Sequence, residues 1–531
     1  MKQILAALRG ALAFGAVSSA FLLLVSCATP SKEQSLVDRA VNAMGGAERL
    51  AAVKTITFKG TSKYWEPEQS DVPGGEMRFA NESNWEGFID AASRSSRIDI
   101  VRNFAYPAPR TFTFSEIVTP EAGYVLGVDS NGRNAQSMKM SPPAHSMSGY
   151  RLATTQRESR RAGSGALMLA MQRNPDKVQP AADIAGQPAV WFEGFTVAFD
   201  AASGLPSRVR TLDYDNVWGD VTYDMVMSDW REFDGLKVPM SRKYELGGRT
   251  VIETNFSQVG FNQPVDTARL QVPAELRADA AKPAVRNIPY QWVIRRQFIG
   301  TYLDSDNASY DARAVKGLTL QQVAPGVFQT QGGSHNSLVV EMSDHLVVFD
   351  APVTDGQSLW LVGATRAQFP GKPIRFLVLT HHHMDHAGGL RGILAEGGTL
   401  VVGQGSRDHY RRVLAAPMTR NYDLPARSFH MVPILEVPES HVMADSAGRQ
   451  VIVYLMVNPH AQGMLMGWIP HAKLGFVTDV WTPGPPLPAK PNPGLVSVVN
   501  TVKRAGLQPE RFAGGHGSTA DYQSLVKLVG Q

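Results

Sequence analysis

The sequence predicts an α/β protein in which an antiparallel, β-rich domain precedes a layered C-terminal domain. Between residues 54 and 262, apolar and polar residues alternate along segments that turn sequences separate, which is typical of antiparallel strands with one solvated face. From residue 318 onward, short and fully apolar strands alternate with helical stretches. That second pattern is typical of a buried sheet covered by helices.

The length and charge of the chain narrow its class. A chain of 531 residues is long enough for two or three domains. Its formal net charge is only +4, and basic and acidic residues are mixed along the sequence without a long basic tract. We therefore expect no nucleic-acid partner.

The first 27 residues have the layout of a secretory signal. Lys2 and Arg9 precede the apolar stretch ALAFGAVSSAFLLLV, which is short for a membrane-spanning helix. Cys27 is the only cysteine of the chain, so no intramolecular disulfide can form. An ordinary signal peptide that happens to contain a cysteine remains the alternative.

The sequence LVSC, which ends at Cys27, resembles the bacterial lipoprotein box. The resemblance implies that residues 1–27 form a lipoprotein signal peptide and that Cys27 is the lipidated first residue of the mature protein. Ala28 follows, where an aspartate would indicate retention in the inner membrane. We therefore expect a lipid-anchored protein of the outer membrane, with its body facing the periplasm.

Residues 36–285 are predicted to form the β-rich domain. A helix with a Gly-Gly break is predicted at its start, and the segment SGYRLATTQRESRRAGSGALMLAMQR is predicted to be a helical insertion between strands. The strand pattern loosely resembles curved-sheet modules of bacterial lipoproteins, from which no catalytic role follows. Residues 286–317 are rich in small and polar residues and are predicted to be a linker.

Histidine is concentrated in the predicted α/β domain, residues 318–531. Twelve of the 13 histidines lie from His335 onward. The buried strand IRFLVLT is followed directly by HHHMDH, and the carboxyl ends of strands are where such folds usually carry their functional residues. His381 and His383 are two residues apart, so in extended backbone they point to one side while His382 points away.

The rest of this motif predicts a second ligand group. Asp385 and His386 follow at the turn into the next helix and can reach a second metal, and Gly388 and Gly389 are expected to allow a tight turn there. Imidazole and carboxylate ligands together suit Zn²⁺ best, with Fe and Mn as rivals.

The segment THHHMDHAGG resembles the HxHxDH signature of the metallo-β-lactamase superfamily. The family order continues with a histidine, an aspartate and a histidine, which His460, Asp479 and His516 match in this chain. The resemblance implies an αββα sandwich over residues 318–531. It also implies that Asp350, at the end of another apolar strand, supports the site without binding metal.

The resemblance implies two Zn²⁺ ions per chain. It assigns His381, His383 and His460 to the first ion, Asp385, His386 and His516 to the second, and Asp479 as the bridge between them. A hydroxide shared by two ions would be the nucleophile, and Asp385 would orient it or accept its proton as the catalytic residue. His335 lies where the family brings a loop towards the metals, and we expect it to contact substrate.

The function this implies is hydrolysis of a small ester, lactone, thioester or amide in the bacterial envelope. His383 argues against flavodiiron-type relatives, which carry glutamate there, and Asp479 argues against most true β-lactamases, which lack it. Three alternatives remain: a β-lactam hydrolase, an oxygen-using iron enzyme, and a lipid- or partner-binding lipoprotein whose metal domain is only a scaffold. The substrate and the oligomeric state do not follow from the sequence.

The remaining histidines of the C-terminal domain are predicted to lie outside the site. His471 occupies a polar turn between two strands. The other four are predicted to be solvated or capping residues: His345, His409, His430 and His441.

Overall fold

The computed structural model describes residues 30–130, 142–278, 280, 318–333, 335–420 and 429–530. The predicted signal peptide with Cys27 and the predicted linker at 286–317 lie outside these residues. The predicted fold class is confirmed: a large antiparallel sheet precedes a C-terminal region with two mixed sheets. Among the helices of the described residues, none has the length and apolar content needed to cross a membrane.

The described residues form eleven α-helices. They are α1 Lys32–Ala43, α2 Ala47–Ala51, α3 Gly149–Ala162, α4 Ser164–Arg173, α5 Ala274–Ala278, α6 Asp355–Gln368, α7 Met384–Ala387, α8 Leu390–Leu394, α9 Arg407–Ala415, α10 Pro493–Arg504 and α11 Tyr522–Val529. Short 3₁₀ turns occur at Pro175–Lys177, Thr267–Leu270 and Pro470–Ala472.

The described strands of the N-terminal domain are β1 Thr55–Glu66, β2 Arg78–Asp90, β3 Ser95–Phe104, β4 Arg110–Val118, β5 Gly123–Gly127, β6 Ala144–Ser146, β7 Gln179–Ile184, β8 Gln187–Phe192, β9 Phe195–Phe199, β10 Pro206–Asp215, β11 Gly219–Phe233, β12 Leu236–Leu246 and β13 Arg249–Phe261. Those of the C-terminal domain are β14 Thr319–Ala324, β15 Val327–Gln331, β16 Leu338–Glu341, β17 Leu346–Phe349, β18 Ile374–Val378, β19 Thr399–Gly403, β20 Ile434–Val437, β21 Ser440–Ala444, β22 Gln450–Leu455, β23 Leu465–Ile469, β24 Leu474–Val477, β25 Arg511–Gly514 and β26 Thr519–Asp521.

The N-terminal domain is one 13-stranded antiparallel sheet. Its order runs from β6 down to β1, then β13 down to β7, so the first and last strands pair in the middle. Helices α3 and α4 form the predicted helical insertion between β6 and β7. Helices α1 and α4 bury their apolar sides against strands β8 to β11, and this burial shields one end of the sheet from water.

The C-terminal domain packs two sheets face to face. Sheet β14 to β20 and sheet β21 to β26 enclose one apolar core between them. Side chains alternate along the strands as the two-residue period requires: Val347 and Phe349 face this core, whereas Leu346 and Val348 face the helices α6, α8 and α9. Helices α10 and α11 cover the outer face of the second sheet.

The hairpin between β10 and β11 joins the two domains. Its tip, residues 216–218, inserts between α8 and α9. The fully buried guanidinium of Arg391 donates to the carbonyl oxygens of Asn216 at 2.8 Å and Val217 at 3.0 Å. The Asn216 amide donates to the Val353 carbonyl at 2.8 Å. Arg391 also donates to the Val413 carbonyl in its own domain, but separating the domains would break its hydrogen bonds to the buried carbonyls of Asn216 and Val217.

Two histidines predicted to be solvated or capping are buried instead, so that prediction was wrong for them. His345 is 1% exposed and its Nδ1 lies 2.7 Å from the Asp344 carboxylate. His409 is 2% exposed, and its ring meets the Trp218 ring edge-on at a centroid distance of 5.2 Å. Trp218 comes from the hairpin tip, a partner that no local pattern around His409 can reveal.

His409 makes the stability of this domain contact depend on pH. Burial lowers its pKa from the ordinary 6.5 to about 3. The folded state therefore holds His409 neutral, and its contribution is present above pH 6.5 and lost as the pH falls below that value. Between pH 7 and pH 5 the loss amounts to about 2 kcal/mol, since one pKa unit corresponds to about 1.4 kcal/mol.

We expect His409→Phe to lessen this acid sensitivity. A phenyl ring keeps the contact with Trp218 and has no group that can take up a proton. The drop in unfolding free energy between pH 7 and pH 5 should therefore shrink by about 2 kcal/mol. Urea unfolding at both pH values measures it. The same substitution at exposed His471 is the control. An unchanged pH dependence in His409→Phe would contradict the prediction.

Candidate metal centre

The site lies where the carboxyl ends of four strands meet at one edge of the two packed sheets. Strand β17 runs parallel to β18 in one sheet, and β24 runs parallel to β25 in the other. Asp350 follows β17 and His381 comes shortly after β18. Asp479 comes shortly after β24, and His516 comes shortly after β25. Parallel pairing therefore brings the chemistry of four chain segments to one edge.

Asp350 anchors the HxHxDH segment from behind. Its carboxylate has no exposed surface and accepts hydrogen bonds from the Thr380 backbone N–H at 2.7 Å and the Thr380 hydroxyl at 2.9 Å. It also contacts Nδ1 of His386 at 2.9 Å, which leaves Nε2 of His386 facing the site. Asp350 and Asp479 both have left-handed backbone, with φ of 57° and 56°, a conformation that aspartate tolerates better than most residues.

The first group of side chains is His381, His383, His460 and Asp479. Nε2 of His460 lies 3.3 Å from Nε2 of His381 and 3.0 Å from Nδ1 of His383. Oδ2 of Asp479 lies 3.1 Å from Nε2 of His381 and 3.4 Å from Nε2 of His460. The side chain of Asn458 holds His460 in place by accepting from its backbone N–H at 2.8 Å.

The second group is His335, Asp385, His386 and His516. Oδ2 of Asp385 lies 3.1 Å from Nε2 of His335 and 3.8 Å from Nε2 of His386. Asp479 connects the two groups, because its Oδ1 lies 2.7 Å from Nε2 of His516 and its Oδ2 lies 3.0 Å from Nε2 of His386. The seven side chains predicted as ligands thus lie together, with Asp479 between the groups.

The donor set fits divalent cations. Ligand atoms that bind one tetrahedral Zn²⁺ at 2.0–2.1 Å stand about 3.3 Å apart, and the contacts of 3.0 to 3.4 Å in the first group match this spacing. Two imidazole nitrogens have no reason to approach at 3.0 Å unless a proton or a cation lies between them. The side chains can therefore hold a metal, which agrees with the prediction at that level.

Burial decides the charge of the first group. It lowers the pKa of His381 to about 3, and it also holds the pKa of His383 well below 6.5, helped by the neighbouring His381 and His460. Both rings are therefore neutral at pH 7, which is the form that binds a metal.

The carboxylates decide the charge around His386. Burial alone lowers the pKa of His386, but Asp479, Asp385 and Asp350 outweigh it and raise the pKa well above 6.5. Burial alone raises the pKa of Asp385 and of Asp479, but the nearby histidines, His386 first, hold both carboxyls well below their usual range. Both aspartates are therefore anionic at pH 7.

The two glycines after the motif serve a different purpose from the one predicted. The backbone does turn at Gly388 and Gly389, but their φ values of −61° and −100° are open to any residue, so the turn itself does not require glycine. Space requires glycine instead. A Cβ on Gly388 would lie 2.3 Å from the Val353 carbonyl oxygen, and one on Gly389 would lie 2.1 Å from the Ser358 hydroxyl. These glycines let the motif pack against the start of α6.

Three other histidines were assigned from sequence. His335 lies inside the site, buried against Asp385 and with its ring 4.4 Å from that of His516. His382 points away, and its Nε2 lies 2.9 Å from the carbonyl oxygen of Ser70. His471 is exposed beside the Pro325 carbonyl, in a 3₁₀ turn outside both groups.

Sequence reasoning missed the part of the site that the N-terminal domain supplies. The loop between β1 and β2, residues 67–77, lies over the HxHxDH segment. The Ser70 carbonyl contacts Nε2 of His383 at 2.9 Å, and the Gln69 amide donates to Oδ1 of Asp385 at 2.7 Å. Tyr106 donates in turn to the Gln69 carbonyl oxygen. Only turn-forming residues mark this loop in the sequence, so no local signal could have connected it to residues more than 300 positions away.

A cleft of about 490 Å³ opens beside His460. Its walls are the segment from Leu455 to Gly463 on one side and Asp71 with Val72 on the other. Val457 and Val72 on these walls are 78% and 43% exposed, so the cleft presents two aliphatic side chains to solvent.

Comparison with known protein families finds a match within the C-terminal domain. Residues 330–521 match the family model described as the metallo-beta-lactamase superfamily, which confirms the predicted resemblance for this part of the chain. A search of curated proteins found no match.

Several solved structures are similar over part of the chain. A stereoselective inverting sec-alkylsulfatase from a Pseudomonas species has 16% identity and a TM-score of 0.31, and the match covers 41% of each chain. The flavodiiron core from a Synechocystis species has 15% identity and a TM-score of 0.31, over 40% of this chain and 59% of that one. A metallo-beta-lactamase from Hirschia baltica has 16% identity and a TM-score of 0.31, over 40% and 96%. Likenesses this weak do not define a substrate.

Proposed function

We propose that the protein is a metal-dependent hydrolase that takes two divalent cations, Zn²⁺ by preference, and cleaves a small ester, lactone, thioester or amide. One observation carries the proposal. His381, His383 and His460 cluster with Asp479 in one group, and His386 and His516 of the second group contact the same Asp479 carboxylate. The anionic carboxylates of Asp385 and Asp479, enclosed among these rings, are costly unless cations balance their charge.

The side chains divide the chemical work. The cations that these residues would hold would lower the pKa of a bound water from about 15.7 towards about 7 and would stabilise negative charge on a substrate oxygen. Asp385 is anionic and can accept a proton at Oδ2, where Nε2 of His335 already contacts it. Burial lowers the pKa of His335 to about 3, so its ring is neutral at pH 7 and does not attract substrate through a positive charge. The predicted substrate contact of His335 stays a prediction.

Exposure indicates the side from which substrate approaches. The side chains of His381 and His386 have no exposed surface, whereas those of His460 and His516 are 20% and 24% exposed. Substrate therefore reaches the site past His460, where the cleft with Val457 and Val72 begins. We infer that this cleft holds the apolar part of the substrate, since aliphatic walls favour a group without charge.

Metal analysis and hydrolysis assays on the same samples test the function. The mature protein lacking Cys27 should hold about two zinc ions per chain. His383→Ala removes a ligand of the first ion, so we expect less bound zinc and a loss of activity of about 100-fold or more on a panel of small esters, lactones and β-lactams. His471→Ala, outside the site, is the control and should change neither.

The outcomes separate the alternatives. Iron in place of zinc favours an oxygen-using enzyme, and turnover confined to β-lactams favours a β-lactamase. A folded protein whose metal content is low and does not respond to His383→Ala would contradict the ligand assignment. It would favour a lipid- or partner-binding protein.

The cleft predicts a preference for apolar acyl groups. Val457→Asp places a charge at the cleft wall, so KM for an ester with a long apolar acyl chain should rise about 10-fold while KM for the acetate ester changes little, because only the longer chain reaches the wall. Steady-state kinetics on both esters measures this. Val442→Asp, at another exposed valine on β21, is the control. A KM for the long-chain ester that Val457→Asp leaves unchanged would rule the cleft out.

We further propose that Cys27 anchors the protein in the outer membrane. The lipoprotein-like sequence before it supports this, and lipid chains on a cysteine hold a protein on a bilayer. Expressed with its signal in a bacterium, the protein should fractionate with the outer membrane and its mature N-terminus should carry acyl chains by mass spectrometry. Cys27→Ser should release it from the membrane. Membrane fractionation unaltered by this substitution would refute lipid anchoring at Cys27.

A further inference from the structure

The N-terminal domain reaches the predicted proton acceptor of the site directly. Gln69, in the loop between β1 and β2, is 4% exposed and donates from its side-chain nitrogen to Oδ1 of Asp385 at 2.7 Å. No other hydrogen bond to Oδ1 of Asp385 is found among the described residues. The N-terminal domain therefore holds Oδ1 of this carboxylate, while His335 of the C-terminal domain contacts Oδ2.

The direction of the Gln69 amide is determined by its two partners. An ionised carboxylate only accepts hydrogen bonds, so the NH₂ end of Gln69 must face Asp385 and the carbonyl end must face away. The Tyr106 hydroxyl donates to that carbonyl oxygen. The Arg78 guanidinium lies 4.6 Å from the centre of the Tyr106 ring and holds the ring in place. Tyr106, Gln69 and Asp385 thus form a chain with one consistent direction.

The chain of contacts leaves one oxygen of Asp385 for the second group. With Oδ1 bound to Gln69, Oδ2 faces Nε2 of His335 at 3.1 Å and Nε2 of His386 at 3.8 Å. A neutral amide can hold the carboxylate and leave its negative charge in place, whereas a lysine or arginine would neutralise that charge. Residues that orient a ligand in this way strongly affect how tightly a metal is held.

We propose that Gln69 is a positioning residue that aims Asp385 at the second metal, and that Tyr106 fixes the Gln69 amide for this purpose. The N-terminal domain is then part of the active centre rather than a separate binding module. The role rests on the proposed function, because it presumes two bound ions. The loop also supports the first group, since the Ser70 carbonyl accepts from Nε2 of His383 and leaves Nδ1 free to bind.

Zinc titration against a competing chelator on the full chain tests the role. Gln69→Met keeps the length of the side chain but removes its donor, and Tyr106→Phe removes one hydroxyl. We expect each to weaken binding of the second ion, about 10-fold for Gln69→Met and less for Tyr106→Phe, with the first ion changed less than about 2-fold. Where a substrate is known, kcat should fall with KM nearly unchanged. Gln258→Met, at an exposed glutamine on β13, is the matched control.

The outcomes distinguish this role from the function it rests on. Binding of the second ion in Gln69→Met that equals binding in Gln258→Met overturns the positioning role and leaves the two-metal centre intact. Equal weakening of both ions, or a lowered melting temperature of the metal-free Tyr106→Phe protein, indicates a merely structural effect and also overturns it. A wild-type chain that binds fewer than two ions overturns the two-metal centre, and this role with it.

Discussion

Asp350 has a carboxylate with no exposed surface, and a carboxylate in that position must be hydrogen-bonded or paired to be tolerated. Its partners are Thr380, immediately before the histidine motif, and His386, which ends it. One buried group thereby fixes both ends of the segment and the orientation of the His386 ring. The packed sheets supply the enclosure, so the positions of the ring nitrogens depend on the sandwich core as well as on the motif itself.

The two domains behave as one structure around this segment. The hairpin tip holds α8 and α9 from one side through Arg391, and the loop between β1 and β2 lies on the other side through Ser70 and Gln69. Both contacts satisfy buried polar groups of the C-terminal domain. A scaffold that presses on a site from two directions limits how far its side chains can drift, which a catalytic arrangement requires.

Much of the fold and of the site could be predicted from the sequence. The alternation in β3 and β4 and the periodicity in α3 and α10 are local properties, and the structure has these elements where the patterns predict them. The grouping of His381, His383 and His460 follows from a motif and an order of residues. The burial of His409 depends on Trp218, and the contact of Gln69 with Asp385 joins different domains. Such contacts arise only from tertiary packing, and the periodicity of a segment contains no information about its packing partners. The need for Gly388 is likewise a matter of space left by Val353, which lies on another segment.

The contacts of the β1–β2 loop span more than half of the 531-residue chain: Ser70 and His383 are 313 positions apart, and Gln69 and Asp385 are 316. Contacts between segments so distant in sequence cost loop-closure entropy when they form. A cation held at this junction binds the assembled chain and not the unfolded one, so it adds to the free energy that keeps the two domains together. At a concentration 1,000 times its dissociation constant, that contribution is about 4 kcal/mol. If the proposed ions bind, the metal supply of the compartment would affect the lifetime of the whole molecule as well as the proposed activity.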